Sequence, residues 1–216
     1  MTAKVIIFDF DGTIADTLDA LVSITNRLAV EFGYKPITQE ELALFKTLNS
    51  RQIIKHSGIS IFQLPFLVRK VKAELNKEIR TLSFIPGIKE VLIELKNQGN
   101  SLGIITSNSK ENVITFLSEK NLQYLFDFIY SGTKLFGKSK VINKFLKQEN
   151  IKPEAVIYVG DEIRDIEAAR RSEIKVIAVS WGFNSEQVLA EQNPDYLIQN
   201  PAELIDAIRE LGEQMV

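Results

Sequence analysis

Short apolar runs, each closed by polar or small residues, recur at residues 5–8, 102–105, 128–130, 156–159 and 176–179. Runs of this length without polar alternation predict strands buried on both faces of a mostly parallel sheet. Between them the spacing changes to the helical period. Ile88, Val91, Leu92 and Leu95 share a helix face over 88–97, Val113, Ile114 and Leu117 over 110–120, and Val141, Ile142, Phe145 and Leu146 over 139–148. Strands alternating with amphipathic helices predict an α/β fold with a doubly wound, Rossmann-like parallel sheet.

From Asp16 to about Phe84 this alternation stops, and no stretch reads convincingly as a strand. Ala20, Ile24, Leu28 and Phe32 mark a helix over 19–32, and Thr38 with Glu41 has the spacing of a capping box that opens another. Residues 51–56 and 64–79 continue the helical pattern, and Pro86-Gly87 marks the return to alternation. The expected organisation is an α/β core from residues 1–15 and 85–216, with an all-helical cap from 16–84 inserted after the first strand. The crossings are expected near 14–18 and 83–87.

Composition narrows the chemistry. The 216 residues suffice for one large domain, or for one carrying a smaller one, and 45% hydrophobic with 25% charged residues predicts a packed core. A net charge of −2 gives no sign of a nucleic-acid or anionic-membrane binder. With no cysteine, disulfides, thiolate metal sites and cysteine nucleophiles are excluded, which suits a cytoplasmic location. His56 is the single histidine, so a multi-histidine metal site is excluded and a Ser-His-Asp triad is disfavoured. No apolar run reaches membrane-spanning length, and the one near the N-terminus is too short for a secretory signal.

In open α/β sheets ligands bind beyond the carboxyl ends of the strands. Asp9, Asp11, Gly12 and Thr13 follow the first strand; Thr106, Ser107 and Asn108 follow the second; Gly137-Lys138 precedes a helix; Gly160, Asp161, Glu162 and Asp165 follow the fourth run. Asp9, Asp161 and Asp165 are an all-oxygen set suited to a hard cation such as Mg2+. With their charge neutralised, the Asp9 carboxylate can attack phosphorus and form an aspartyl-phosphate. Asp11 can protonate the leaving oxygen and later deprotonate the hydrolytic water, which calls for a raised pKa. Thr106 or Ser107 offers a hydroxyl for phosphate, beside Asn108 and backbone N–H groups at a helix start. Lys138 offers a fixed positive charge, and Gly12 a sharp turn that brings backbone N–H groups towards the ligand.

The segments DFDGT, IITSN, FGKSK and VGDEIRD stand in the order and spacing of the four motifs of the haloacid dehalogenase superfamily, which the chain resembles over nearly its whole length. The likeness is greatest to the phosphoglycolate phosphatase-like branch, whose helical cap follows the first motif and whose loop after the last core strand resembles VSWGFNS, residues 179–185. This resemblance implies Asp9 as nucleophile, Asp11 as acid/base, and Thr106 or Ser107 as phosphate-binding hydroxyl. It implies Lys138 as charge stabiliser, Asp161 and Asp165 as metal carboxylates, and the Asp11 carbonyl as a further metal ligand. The substrate implied is a small phosphorylated metabolite, phosphoglycolate being the first guess, without a nucleic-acid or membrane partner.

The chain departs from the family pattern in places. Lys138 is followed by Ser139-Lys140 where Pro-x-Pro is common, so Lys134 and Lys140 compete with it, and Glu162 stands where Ser or Thr is common. Lys46, Arg51, Lys55 and His56 cluster in the expected cap, where Arg51 is a candidate for a substrate carboxylate, although a solvated helix face is the commoner use of such residues. Trp181 and Phe183 read as packing under a loop. A phosphomutase, a carbon–halogen hydrolase, a phosphonate hydrolase and a non-catalytic phosphate or partner binder are the alternatives. Monomer and homodimer are not distinguished.

Overall fold

A computed structural model describes residues 4–131 and 137–213, so Lys134 lies outside the described residues. The described residues form six parallel strands: β1 Val5–Phe8, β2 Ser101–Ile105, β3 Phe128–Tyr130, β4 Val156–Gly160, β5 Lys175–Val179 and β6 Tyr196–Ile198, in the order β3-β2-β1-β4-β5-β6. The period-two alternation divides their side chains between two cores. Ile6, Phe8, Ile157, Val159, Ile177 and Val179 face one core, while Ile7, Val156, Tyr158, Val176 and Ala178 face the other. Helices cover both faces, which is why the strands read as continuous apolar runs.

Four helices follow β1: α1 Leu18–Phe32, α2 Gln39–Phe45, α3 Ser50–Ser57 and α4 Leu64–Glu78. No named strand lies among them. The Thr38–Glu41 capping box forms as the sequence predicts, and Asn49 with Gln52 makes a second one at α3. Gly33 ends α1 in the left-handed conformation, at φ 71°. The two crossings lie side by side. Ala15 and Phe84 form an antiparallel bridge, the Asp16 N–H donates to the Ser83 carbonyl at 3.0 Å, and the Ile85 N–H donates to the Ile14 carbonyl at 2.9 Å.

The remaining helices are α5 Ile88–Asn97, α6 Lys110–Glu119, α7 Lys138–Gln148, α8 Ile163–Arg171, α9 Glu186–Ala190 and α10 Glu203–Glu213. Periodicity located α5, α6 and α7 to within a residue or so. No helix among the described residues is long and apolar enough to cross a membrane.

Candidate active site

The strand order reverses between β1 and β4, so their carboxyl ends open side by side, the position where such sheets bind ligands. Phe8 pairs with Val159, and the Asp9 N–H donates to the Val159 carbonyl at 2.9 Å, which places Asp9 beside Asp161. Asp9, Asp161 and Asp165 are buried, and each offers a carboxylate oxygen within 4.8 Å of the others'. Lys138, in the first turn of α7, reaches into this group. Its Nζ donates to Asp9 Oδ2 at 2.8 Å and also to Asp165 Oδ1. Lys140 lies exposed on the same helix.

Small residues make room for the acids. Gly12 turns the chain at φ 74°, and its N–H closes the turn on the Ala15 carbonyl at 2.9 Å. Gly12 thus supplies the turn, while its own N–H is committed within it. A Cβ on Gly12 would stand 2.4 Å from Asp161 Oδ2, and one on Gly182 would stand 2.2 Å from the same oxygen. Thr13 Oγ1 donates to Asp161 Oδ1 and the Phe183 N–H donates to Oδ2, both at 2.7 Å. Asp165 Oδ2 accepts the Glu162 N–H at 3.1 Å, so this acid caps α8 while its other oxygen meets Lys138. Trp181 packs against the core, and its Nε1 donates to the Thr13 carbonyl at 3.3 Å.

Negative charge here exceeds what the protein neutralises. Lys138 is shared by two carboxylates, and Arg164 is occupied by Glu162 at 2.5 Å. Burial pushes the Asp161 carboxyl well up, and the charges of Glu162, Asp165 and Asp9 push it further. Asp165 is raised to about 6 by burial, with Lys138 opposing. Burial alone would lower the Lys138 ammonium, but Asp165 and Asp9 outweigh it and the net shift is upward. A surplus of buried carboxylate oxygens without histidine, cradled by residues that admit no Cβ, fits a hard divalent cation.

Asp11 stands apart from that trio. Burial and the charge of Asp9 raise its carboxyl to about 7, against a hydrogen bond from Asn108. Asn108 Nδ2 donates to Asp11 Oδ1 at 2.9 Å, while Asn108 Oδ1 accepts from the Ser109 N–H at 2.7 Å and from Asn112 Nδ2 at 2.8 Å. The Asn108 side chain, a phosphate candidate in the sequence, is therefore committed to Asp11 and to the start of α6. Thr106 is fully buried at the end of β2, and its Oγ1 accepts the Asn108 N–H at 3.1 Å, which leaves the hydroxyl proton to donate. Ser107 is partly buried beside it. Arg51 lies exposed in the first turn of α3.

Sequence reasoning passed over Arg164 and Asn184. Asn184 is buried. Its Oδ1 accepts the Ile163 N–H at 2.9 Å, and its Nδ2 donates to the Lys46 and Leu48 carbonyls, both at 3.1 Å. The loop that holds Asp161 thereby also grips the α2–α3 connection. A largely apolar cavity of about 710 Å³ lies between α1, α2 and α3, with Glu162, Arg164 and Phe183 in its wall.

A profile of the haloacid dehalogenase-like hydrolases matches residues 6–179. A phosphoglycolate phosphatase of Synechococcus elongatus is 38% identical over 98% of this chain and 100% of its own length. Phosphoglycolate phosphatase 1 of Pseudomonas aeruginosa is 23% identical over 97% of this chain and 81% of its own. Among solved structures, a predicted phosphatase from Clostridium acetobutylicum superposes with a TM-score of 0.83 at 22% identity, over 97% of this chain and all of that one. With the profile spanning all four motifs and a relative alignable end to end, the chain belongs to the haloacid dehalogenase-like hydrolase family.

Proposed function

We infer that the protein is a Mg2+-dependent phosphatase that hydrolyses a small phosphate monoester, with phosphoglycolate as first substrate, through a phosphorylated Asp9. The observation that carries this reading is the division of labour in the first motif. Asp9 is ion-paired to Lys138, while Asp11, two residues on, is a carboxyl poised at about 7. The relative of the same length at 38% identity is a phosphoglycolate phosphatase, which directs the choice of substrate.

In the first step an Asp9 oxygen bonds to phosphorus, the ester P–O bond breaks, and the departing oxygen takes the Asp11 proton. In the second, Asp11 takes a proton from water, the water oxygen attacks phosphorus, and the Asp9–phosphorus bond breaks to release inorganic phosphate. Lys138 holds Asp9 in place and faces the oxygens that gather charge. The Thr106 hydroxyl, with Ser107 beside it, serves the phosphate. Asp9, Asp161, Asp165 and the Asp11 carbonyl are the proposed Mg2+ ligands. Bound there, Mg2+ supplies the positive charge that lets a carboxylate approach a phosphate dianion. Residues 16–84 act as a cap that closes over the site and excludes bulk water, on the core of 1–15 and 85–216.

The test is release of inorganic phosphate from phosphoglycolate and a panel of other esters, with and without Mg2+. Asp9→Asn is expected to lower kcat at least about a thousandfold while leaving the fold intact. Full activity in that variant would disprove the mechanism.

A further inference from the structure

Three cations act on the acidic site, and two of them are already committed. Lys138 is bound to Asp9 and Asp165, and Arg164 to Glu162. The third is Lys72, on α4. Its side chain is half-buried, and among the described residues its ammonium has neither a hydrogen bond nor an ion-pair partner. Burial lowers its pKa, and the chief opposing influence is the charge of Asp11. An ammonium withdrawn from water without a partner is costly unless a ligand supplies the anion.

The backbone around Lys72 is fixed with respect to Asp11. Asn76 Nδ2 donates to Asn112 Oδ1 at 2.7 Å, which orients that amide. Asn112 Nδ2 then donates to the Lys72 carbonyl at 3.2 Å and to Asn108 Oδ1 at 2.8 Å, and Asn108 Nδ2 donates to Asp11 Oδ1 at 2.9 Å. One run of side-chain amides thus ties the α4 backbone at Lys72 to the carboxyl of Asp11. Lys72, Asn76, Ser109 and Asn112 line a cavity of about 400 Å³ at this junction.

We propose that Lys72 is the specificity-determining residue for the leaving group, and that it binds the carboxylate of a phosphorylated hydroxy acid. The assignment rests on the phosphatase reading above. If Asp11 protonates the departing oxygen, a group one or two carbons from that oxygen lies beside Asp11. An uncommitted cation at that place selects substrates that carry an anion there. It takes the part that the sequence suggested for Arg51, which lies exposed on α3. Lys72 contributes to binding both before and during reaction, so its effect falls on KM more than on kcat.

The experiment compares phosphoglycolate with 2-hydroxyethyl phosphate, which has a neutral hydroxymethyl group in place of the carboxylate. In Lys72→Met, kcat/KM for phosphoglycolate is expected to fall about 10- to 100-fold, mainly through KM, as for loss of a charge-assisted hydrogen bond. For 2-hydroxyethyl phosphate the expected change is under about threefold, and Lys72→Arg is expected to recover part of the lost preference. An equal loss on both esters would show that Lys72 acts on Asp11 or on folding, and would overturn the assignment. An active wild type whose Lys72→Met variant keeps the preference would overturn it too, and leave the phosphatase reading standing. A wild type inactive on both esters with Mg2+ present would overturn that reading and the assignment together.

Discussion

Asp11 receives its properties from burial, from a carboxylate two residues away and from an amide remote in sequence. Burial and Asp9 raise its carboxyl to about 7, and the Asn108 amide restrains the rise. In the metal-free protein, a carbon-13 titration of the Asp11 carboxyl is expected to give a midpoint near 7. Asn108→Ala removes a donor that favours the ionised form, so the midpoint is expected to move upward, and a downward move would contradict this account of the site. The acids themselves were legible in the sequence, because two carboxylates after an apolar strand need a chemical reason. The task of Asn108 was not. Its amide could as well have faced a phosphate, and only the approach of Asp11, 97 residues away, gives it a direction. Lys72 was illegible for the same reason, since nothing along α4 marks it off from the lysines that face solvent.

Among the elements, α1 and α4 pack closely on each other, whereas α2 and α3 border the 710 Å³ cavity and bury little of themselves. What ties them to the core is polar. Asn184 Nδ2 bonds to the Lys46 and Leu48 carbonyls, and the Ser185 N–H donates to the Lys46 carbonyl at 2.9 Å. Asn184→Ala is therefore expected to speed amide hydrogen exchange across residues 39–57 about five- to tenfold, as loss of about 1 kcal/mol from a local opening would, and to leave the strands unchanged. Unaltered exchange in α2 and α3 would mean that this grip contributes nothing. α5, α6, α7 and the capped start of α2 could be read from periodicity and capping residues. β6 was not, although Tyr196–Ile198 is as long as β3, and the parallel pairing of Ile177 with Tyr196 makes it a strand.

At the scale of the whole molecule, Asp11, Asp161 and Asp165 all have raised pKa values, so without metal the folded protein keeps protons that the unfolded chain releases. The native state then binds more protons between the ordinary aspartate value and that of the folded site, and stability falls as pH rises through this range. Chelated protein is expected to lose thermal stability as pH rises from about 4 through the folded values of about 6 for Asp165 and about 7 for Asp11. Saturating Mg2+ should reverse the loss near neutrality, adding about 2.7 kcal/mol at a hundred times its Kd, while Asp161→Asn should weaken that gain. A melting temperature indifferent to Mg2+ at pH 7 would contradict the metal assignment. The doubly wound sheet was legible because parallel strands buried on both faces leave uninterrupted apolar runs. The polar ties across the sheet's carboxyl edge were not, because each joins residues far apart in the chain.

The paired crossings have a consequence for how such a chain could have been assembled. Asp16 and Ser83 are hydrogen-bonded neighbours, so everything from Thr17 to Leu82 leaves and rejoins the core at almost one point. The entropy of closing a loop grows only with the logarithm of its length, so each doubling of this stretch costs the sheet only about 0.6 kcal/mol. An ancestor with a short hairpin between residues 16 and 83 would have kept the same core, and later insertions at that hairpin would have been nearly neutral for its stability. Asp9, Asp11, Lys138, Asp161 and Asp165 could then stay fixed on the sheet side of that point, while the inserted helices were free to lengthen, shorten and diverge.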